Sequence, residues 1–195
     1  MEFVNYSGGA EGTDTMFEKE GEKYGIKTVA YSFYGHNTLS KNKWNLTPEQ
    51  LEDGFKMVEM ANRTLKRNIT TISTYVRKLL CRNWYQVKNS ECIYAVGIFK
   101  KDCQEVDGGT GWAVQMAIDH DKPIYFFDQN KNKWYKYEKG SGNLDYDRFA
   151  EPSGFREISY IPPLTTKFAG VGTRNLNENG KKAIKELYRV NFIEP

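Results

Sequence analysis

The chain has 195 residues, enough for one sizeable core and short for two, and its 39% apolar and 27% charged content is ordinary for a globular protein. Its 28 basic residues are scattered among 25 acidic ones for a net charge of +3, which argues against a broad duplex-binding surface and against nucleic acid as the partner. Cys81, Cys92 and Cys103 contain no CxxC pair and lie far in sequence from His36 and His120, no run is apolar enough for a bilayer span, and no basic-then-apolar leader follows Met1, so a soluble cytoplasmic protein is expected, with no disulfide framework, metal site or cofactor and no membrane partner.

In chain order, residues 3–6 read as a short buried strand that runs into glycines, and a helix is expected over 15–24 with Gly25 at its end. The β-branched and aromatic content of residues 27–33 predicts a second strand, and the polar stretch 35–45 an exposed loop. Thr47-Pro48-Glu49-Gln50 has the makings of a capping box with proline in the first turn, opening a helix to about residue 66. A further helix over 72–87 places Ile72, Val76, Leu79 and Leu80 on one face. Residues 91–96 have the pattern of a central strand. A loop over 97–106 leads to Asp107-Gly108-Gly109-Thr110-Gly111, then a helix over 112–119 and a strand over 123–127. Residues 134–137 read as the return strand of a hairpin, 139–154 as a polar loop, and Pro162-Pro163 as the end of another extended piece. The strand 167–171 enters Gly172-Thr173-Arg174-Asn175 before a last helix over 178–190. These elements predict one α/β domain over 1–195. The expected fold is a Rossmann-like three-layer sandwich with a mostly parallel sheet and a small β-hairpin insertion near residues 124–160.

Three times a short apolar strand passes through glycines towards a helix: after Tyr6, after Val106 and after Ala169. Glycine lets backbone N–H groups approach a ligand, and a helix start adds unpaired N–H donors and the positive end of its dipole, so each is a candidate anion cradle. A single such turn is as well explained by tight chain reversal; three in one small chain favour a ligand. None is a Walker A motif or a full GxGxxG fingerprint. The candidate ligand-binding residues are Ser7, Gly8, Gly9, Ala10, Glu11, Gly12 and Asp14; Asp107, Gly108, Gly109, Thr110 and Gly111; and Gly170, Gly172, Thr173 and Arg174. Arg82 and Asn83, at the end of a helix, join them as phosphate contacts, with Trp84 or Tyr85 placed either to stack on a base or to fill the core. Asp14 suits a ribose hydroxyl or simple helix capping. His36 reads as a solvated loop histidine. No catalytic residue is assigned, Ser7 lacking a nucleophile elbow and a nearby histidine.

Ser7-Gly8-Gly9-Ala10-Glu11-Gly12-Thr13-Asp14 resembles the SGGAxGxD loop of the SLOG superfamily, which embraces DNA-processing protein A, the Lonely guy phosphoribohydrolases, molybdenum-cofactor carrier-like proteins and sensor domains of antiphage defence proteins. Residues 107–117 are similar to its second glycine loop and helix, and Ala169-Gly170-Val171-Gly172-Thr173-Arg174 to its AGxGSR element. That element commonly opens the superfamily domain and here lies near the chain's end, which looks like a circular permutation and implies that the first and last strands are sheet neighbours. The hydrolases' PGGxGTxxE glutamate aligns with Gln115, and a glutamine cannot act as a general base. The resemblance therefore implies non-catalytic binding of a small nucleotide-derived ligand, of ADP-ribose type or cyclic, in a homo-oligomer (dimer or tetramer). The expected role is sequestration, as in a phage- or mobile-element-borne sponge against nucleotide-signalling defence. The alternative is a nucleotide N-glycosidase using Glu11, Asp14 or Asp107.

Overall fold

The computed structural model describes residues 2–100, 105–140 and 154–192. Cys103 and most of the expected polar loop, 141–153, fall outside them. The first half comprises β1 (Val4–Ser7), α1 (Thr13–Lys23), β2 (Lys27–Ser32), β3 (Lys43–Asn45), α2 (Pro48–Leu65) and α3 (Thr74–Asn89). The second comprises β4 (Cys92–Gly97), α4 (Gly108–Asp119), β5 (Ile124–Asp128), β6 (Lys133–Glu138), β7 (Gly154–Ile158), β8 (Lys167–Gly172) and α5 (Glu178–Phe192).

The strands form one sheet in the order β3-β2-β1-β8-β4-β5-β6-β7. The first six of that order run parallel, β6 pairs antiparallel with β5, and β7 pairs antiparallel with β6. This is the α/β three-layer sandwich that the sequence predicts. Side-chain alternation along β4 explains why both faces are covered: Ile93 and Ala95 enter a core with Val58, Leu80 and Met116 from α2, α3 and α4, while Tyr94 and Val96 enter another with Phe17 from α1 and Ile184 and Leu187 from α5. β8 lies between β1 and β4, in register Val4↔Lys167 and Ile93↔Ala169, so the first and last strands are neighbours.

Local chemistry sets several boundaries. Thr47 Oγ1 accepts from Gln50 N at 3.2 Å, and Gln50 Oε1 accepts from Thr47 N at 2.8 Å, completing the capping box of α2. The hairpin expected over 124–160 is a three-stranded extension, with β7 pairing β6 in register Trp134↔Ile158. Two expectations are corrected. Residues 43–45, read as loop, form an edge strand on β2, and all three are exposed, so no apolar alternation marks them. The glycines at 108–111 are not a loop ahead of a helix but the first turn of α4, and Val106 makes only an isolated antiparallel bridge with Phe99. Among the described residues no helix is long and apolar enough to cross a membrane.

Candidate functional site

The carboxyl ends of β8 and β4 and the loop after β1 open onto a cavity of about 490 Å³, where open α/β sheets bind their ligands. One wall is the face of α3 that carries Val76, Leu79, Leu80, Arg82, Asn83 and Gln86. Ala10 and Asp14 close the end next to β1, Asp107 to Thr110 bring in the start of α4, and Gly172 to Asn175 come from β8 and the turn after it. The cavity thus gathers eleven of the predicted residues: Ala10, Asp14, Arg82, Asn83, Asp107, Gly108, Gly109, Thr110, Gly172, Thr173 and Arg174.

Arg82 is its electrostatic centre. Only 5% of the residue is exposed, its Nη1 lies 3.7 Å from Asp14 Oδ2, and its Nε and Nη1 have no hydrogen-bond partner among the described residues. A buried guanidinium with unmet donors is costly unless something completes it. Gly8 sits beneath the guanidinium, where a Cβ would overlap Nη1. Asp14, in the first turn of α1, accepts weakly from Ala10 N at 3.4 Å. Burial pushes its carboxyl up to about 6, with Arg82 pulling the other way and Glu18 adding to the rise.

The three glycine segments divide their work unequally. At the first, the start of α1 is already occupied: Thr13 N and Oγ1 both donate to the Thr173 carbonyl, at 3.1 and 2.9 Å. Gly12 makes that approach feasible with φ of 95°, since a Cβ there would lie 2.6 Å from the Thr173 oxygen. At the third, Gly170 lies within β8 beneath the Phe17 ring and donates its N–H to Asn5 Oδ1 at 3.0 Å. The start of α5 is capped through Asn177, whose N–H donates to Gln129 Oε1 at 2.9 Å. The second segment is the open one. Asp107 makes no side-chain cap, Gly108 and Gly109 are exposed, and nothing lies within 4 Å of where their Cβ atoms would be. The first-turn N–H groups of α4 therefore border the cavity with an unscreened helix dipole.

Arg67 holds that helix start in place, donating through Nη1 to the Gly108 carbonyl at 2.6 Å and through Nη2 to Glu105 Oε1 and the Val106 carbonyl at 2.6 and 3.0 Å. Gly111 packs against this guanidinium, outside the cavity. Sequence reasoning missed Arg67, an isolated residue with no motif around it. It also missed the apolar wall, although the stripe Val76, Leu79 and Leu80 was its signal.

Several predicted residues lie elsewhere. Ser7 donates to Glu18 Oε1 at 2.5 Å and accepts from Gly9 N–H, both inside the protein. Gly9 and Glu11 line a separate groove between α1 and residues 37–41. The aromatic side chains after Arg82 belong to the core: Trp84 packs on His120 at 4.4 Å, and Tyr85 donates to the Gln50 carbonyl at 2.9 Å. Gln115 is buried outside the cavity and donates to Asp119 Oδ1 at 2.8 Å. His36 is half-buried rather than fully solvated. It sits 3.0 Å from Ser32 Oγ and stacks on Phe33, and burial aided by the positive charges of Arg82, Lys43 and Arg174 brings its pKa down to about 4.

Against family models, curated proteins and solved structures, the chain has no match.

Proposed function

We propose that the chain binds a nucleotide-derived, phosphate-bearing ligand in this cleft and holds it without turnover. The observation that carries the reading is Arg82: a buried cation with two unmet donor atoms, set in the same cavity as the open first turn of α4. Anion binding supplies what both lack. The cavity volume falls within the range of about 300–1,000 Å³ usual for small-molecule sites, and its aliphatic wall of Val76, Leu79 and Ile98 suits the apolar face of a base. The resemblance of the glycine motifs to the SLOG superfamily supports an ADP-ribose-type or cyclic nucleotide as the ligand and sequestration of a signal as the role.

One observation favours a second reading. A buried carboxyl with a pKa near 6, as at Asp14, suits general acid–base chemistry at neutral pH, and a nucleotide N-glycosidase would use it. The experiment is incubation with ADP-ribose, cyclic AMP or AMP, removal of unbound nucleotide by gel filtration, then denaturation and mass spectrometry of what the protein releases, with the incubation mixture itself sampled over time for free base. Near-stoichiometric intact nucleotide supports holding. Free base that accumulates with time, and fails to do so with Asp14→Asn, replaces the binder with the hydrolase.

A further inference from the structure

The cleft's buried cation already has an opposite charge beside it. Arg82 and Asp14 each leave 6% of their side chains exposed, with their charged atoms 3.7 Å apart, and the backbone at Gly8 blocks any retreat of the guanidinium on that side. The other charged groups around the pair are Glu18 one turn along α1, Asp107 at the start of α4, and Arg174 exposed after β8. His36, on the β2–β3 connection, is held neutral partly by Arg82 itself. With Asp14 ionised, the pair presents a net charge near zero. An anion arriving there meets attraction and repulsion over similar distances.

We propose that Asp14 sets which anions the cleft accepts, so that a doubly charged phosphate monoester gains no advantage there over a singly charged phosphate group such as a diester or a pyrophosphate link. This rests on the cleft being the ligand site. One negative oxygen can use the unmet donors of Arg82 while the rest of the group turns to the N–H groups of α4. A second negative charge adds little, because what the guanidinium gives the carboxylate takes back. A ligand hydroxyl, or a proton on Asp14 itself, lifts the conflict. Since burial holds the Asp14 pKa near 6, a proton is available there in mild acid and absent at pH 8.

The test is calorimetry at pH 8 with two probes of nearly the same shape, adenosine 5′-monophosphate (a dianion) and adenosine 5′-sulfate (a monoanion). The wild-type protein is expected to bind them within about threefold of each other, and Asp14→Asn to prefer the monophosphate by about tenfold or more, the carboxylate being gone while Arg82 remains. An unchanged ratio in the variant overturns the proposal, as does a tenfold preference for the dianion in the wild type. Wild-type protein alone supplies a second measurement that needs no variant to fold. Inorganic sulfate, a dianion throughout, is expected to bind about tenfold more tightly at pH 5 than at pH 8, and a flat profile refutes the role of Asp14. If none of the three probes binds at any pH, the reading of the cleft itself falls, which is a different result from binding without charge selectivity.

Discussion

Replacing Asp14 by asparagine is expected to stabilise the protein, and the amount follows from where the carboxyl sits. Burial raises its pKa from 3.8 to about 6 in the folded chain, despite the Arg82 guanidinium 3.7 Å away. A carboxyl whose folded pKa lies above its unfolded one costs nothing below the unfolded value, where both states are protonated. Between pH 3.8 and 6 the unfolded chain ionises freely while the folded one resists, so stability falls, and above 6 the loss is complete. Two units at 1.36 kcal/mol each give a cost of about 3 kcal/mol at pH 8 and roughly half of that at pH 5. Asparagine resembles the protonated carboxyl in shape and charge and escapes that cost. Urea unfolding of both proteins at pH 8 and pH 5 measures the gap, and at pH 8 it corresponds to roughly 6–12 °C in melting temperature for a chain of this size. If the variant is less stable than the wild type at pH 8, Asp14 is a net stabiliser through its ion pair, and the reading that burial outweighs the Arg82 charge is wrong.

Arg82→Met is expected to leave the protein folded and to weaken binding of ADP-ribose about a hundredfold or more, measured by calorimetry, because the anion loses its buried partner. The same variant should raise the His36 titration midpoint from its present value of about 4, read by proton NMR of the imidazole; a midpoint that stays put would show that the cleft's positive charge does not reach that ring. Gly12→Ala places a Cβ against the Thr173 and Arg174 carbonyls at a φ of 95°, and a loss of about 2–4 kcal/mol is expected in thermal or urea unfolding. Arg67→Met is expected to weaken binding of AMP more than that of adenosine, because its hydrogen bonds hold the open first turn of α4, the phosphate site under this proposal, rather than the apolar wall.

What was legible in the sequence was whatever local chemistry decides. The capping box at Thr47 and Gln50 needs only four residues in a row, and the unbroken apolar run of β4 declares a strand covered on both faces. β3 escaped because a three-residue edge strand with every side chain in water has no periodicity to read. The first turn of α4 escaped for another reason: three glycines in four residues argue against helix on propensity, and here Asp107 in an extended conformation starts it regardless. Each of the three glycine segments was expected to be an anion cradle, and their division of labour was not legible. That the Thr173 carbonyl closes the start of α1 while α4 stays open is a matter of contacts across 160 residues of chain. The fates of Trp84 and Tyr85 were undetermined for the same reason, since only the packing of α3 on α2 and α4 turns them inward.

The position of β8 carries one more consequence. A strand from the far end of the chain forms the middle of the sheet, and without it β3-β2-β1 and β4-β5-β6-β7 would share no strand pairing. The ends of the described chain meet on the same side, where the Phe3 and Phe192 rings pack edge-to-face with centroids 4.8 Å apart. A short flexible linker from the end of α5 to the start of β1 therefore spans little distance. Opening the chain between Ser159 and Tyr160, both exposed, disturbs no strand and puts the Ala169-to-Arg174 element near the new beginning. Such a permutant is expected to melt within a few degrees of the original and to bind ADP-ribose with the same affinity, because every strand pairing and every residue of the cleft is retained. A permutant that folds but has lost binding would show that the path from β7 into β8 shapes the cleft. One that does not fold would mean that the present chain order is itself needed to bring β8 between β1 and β4.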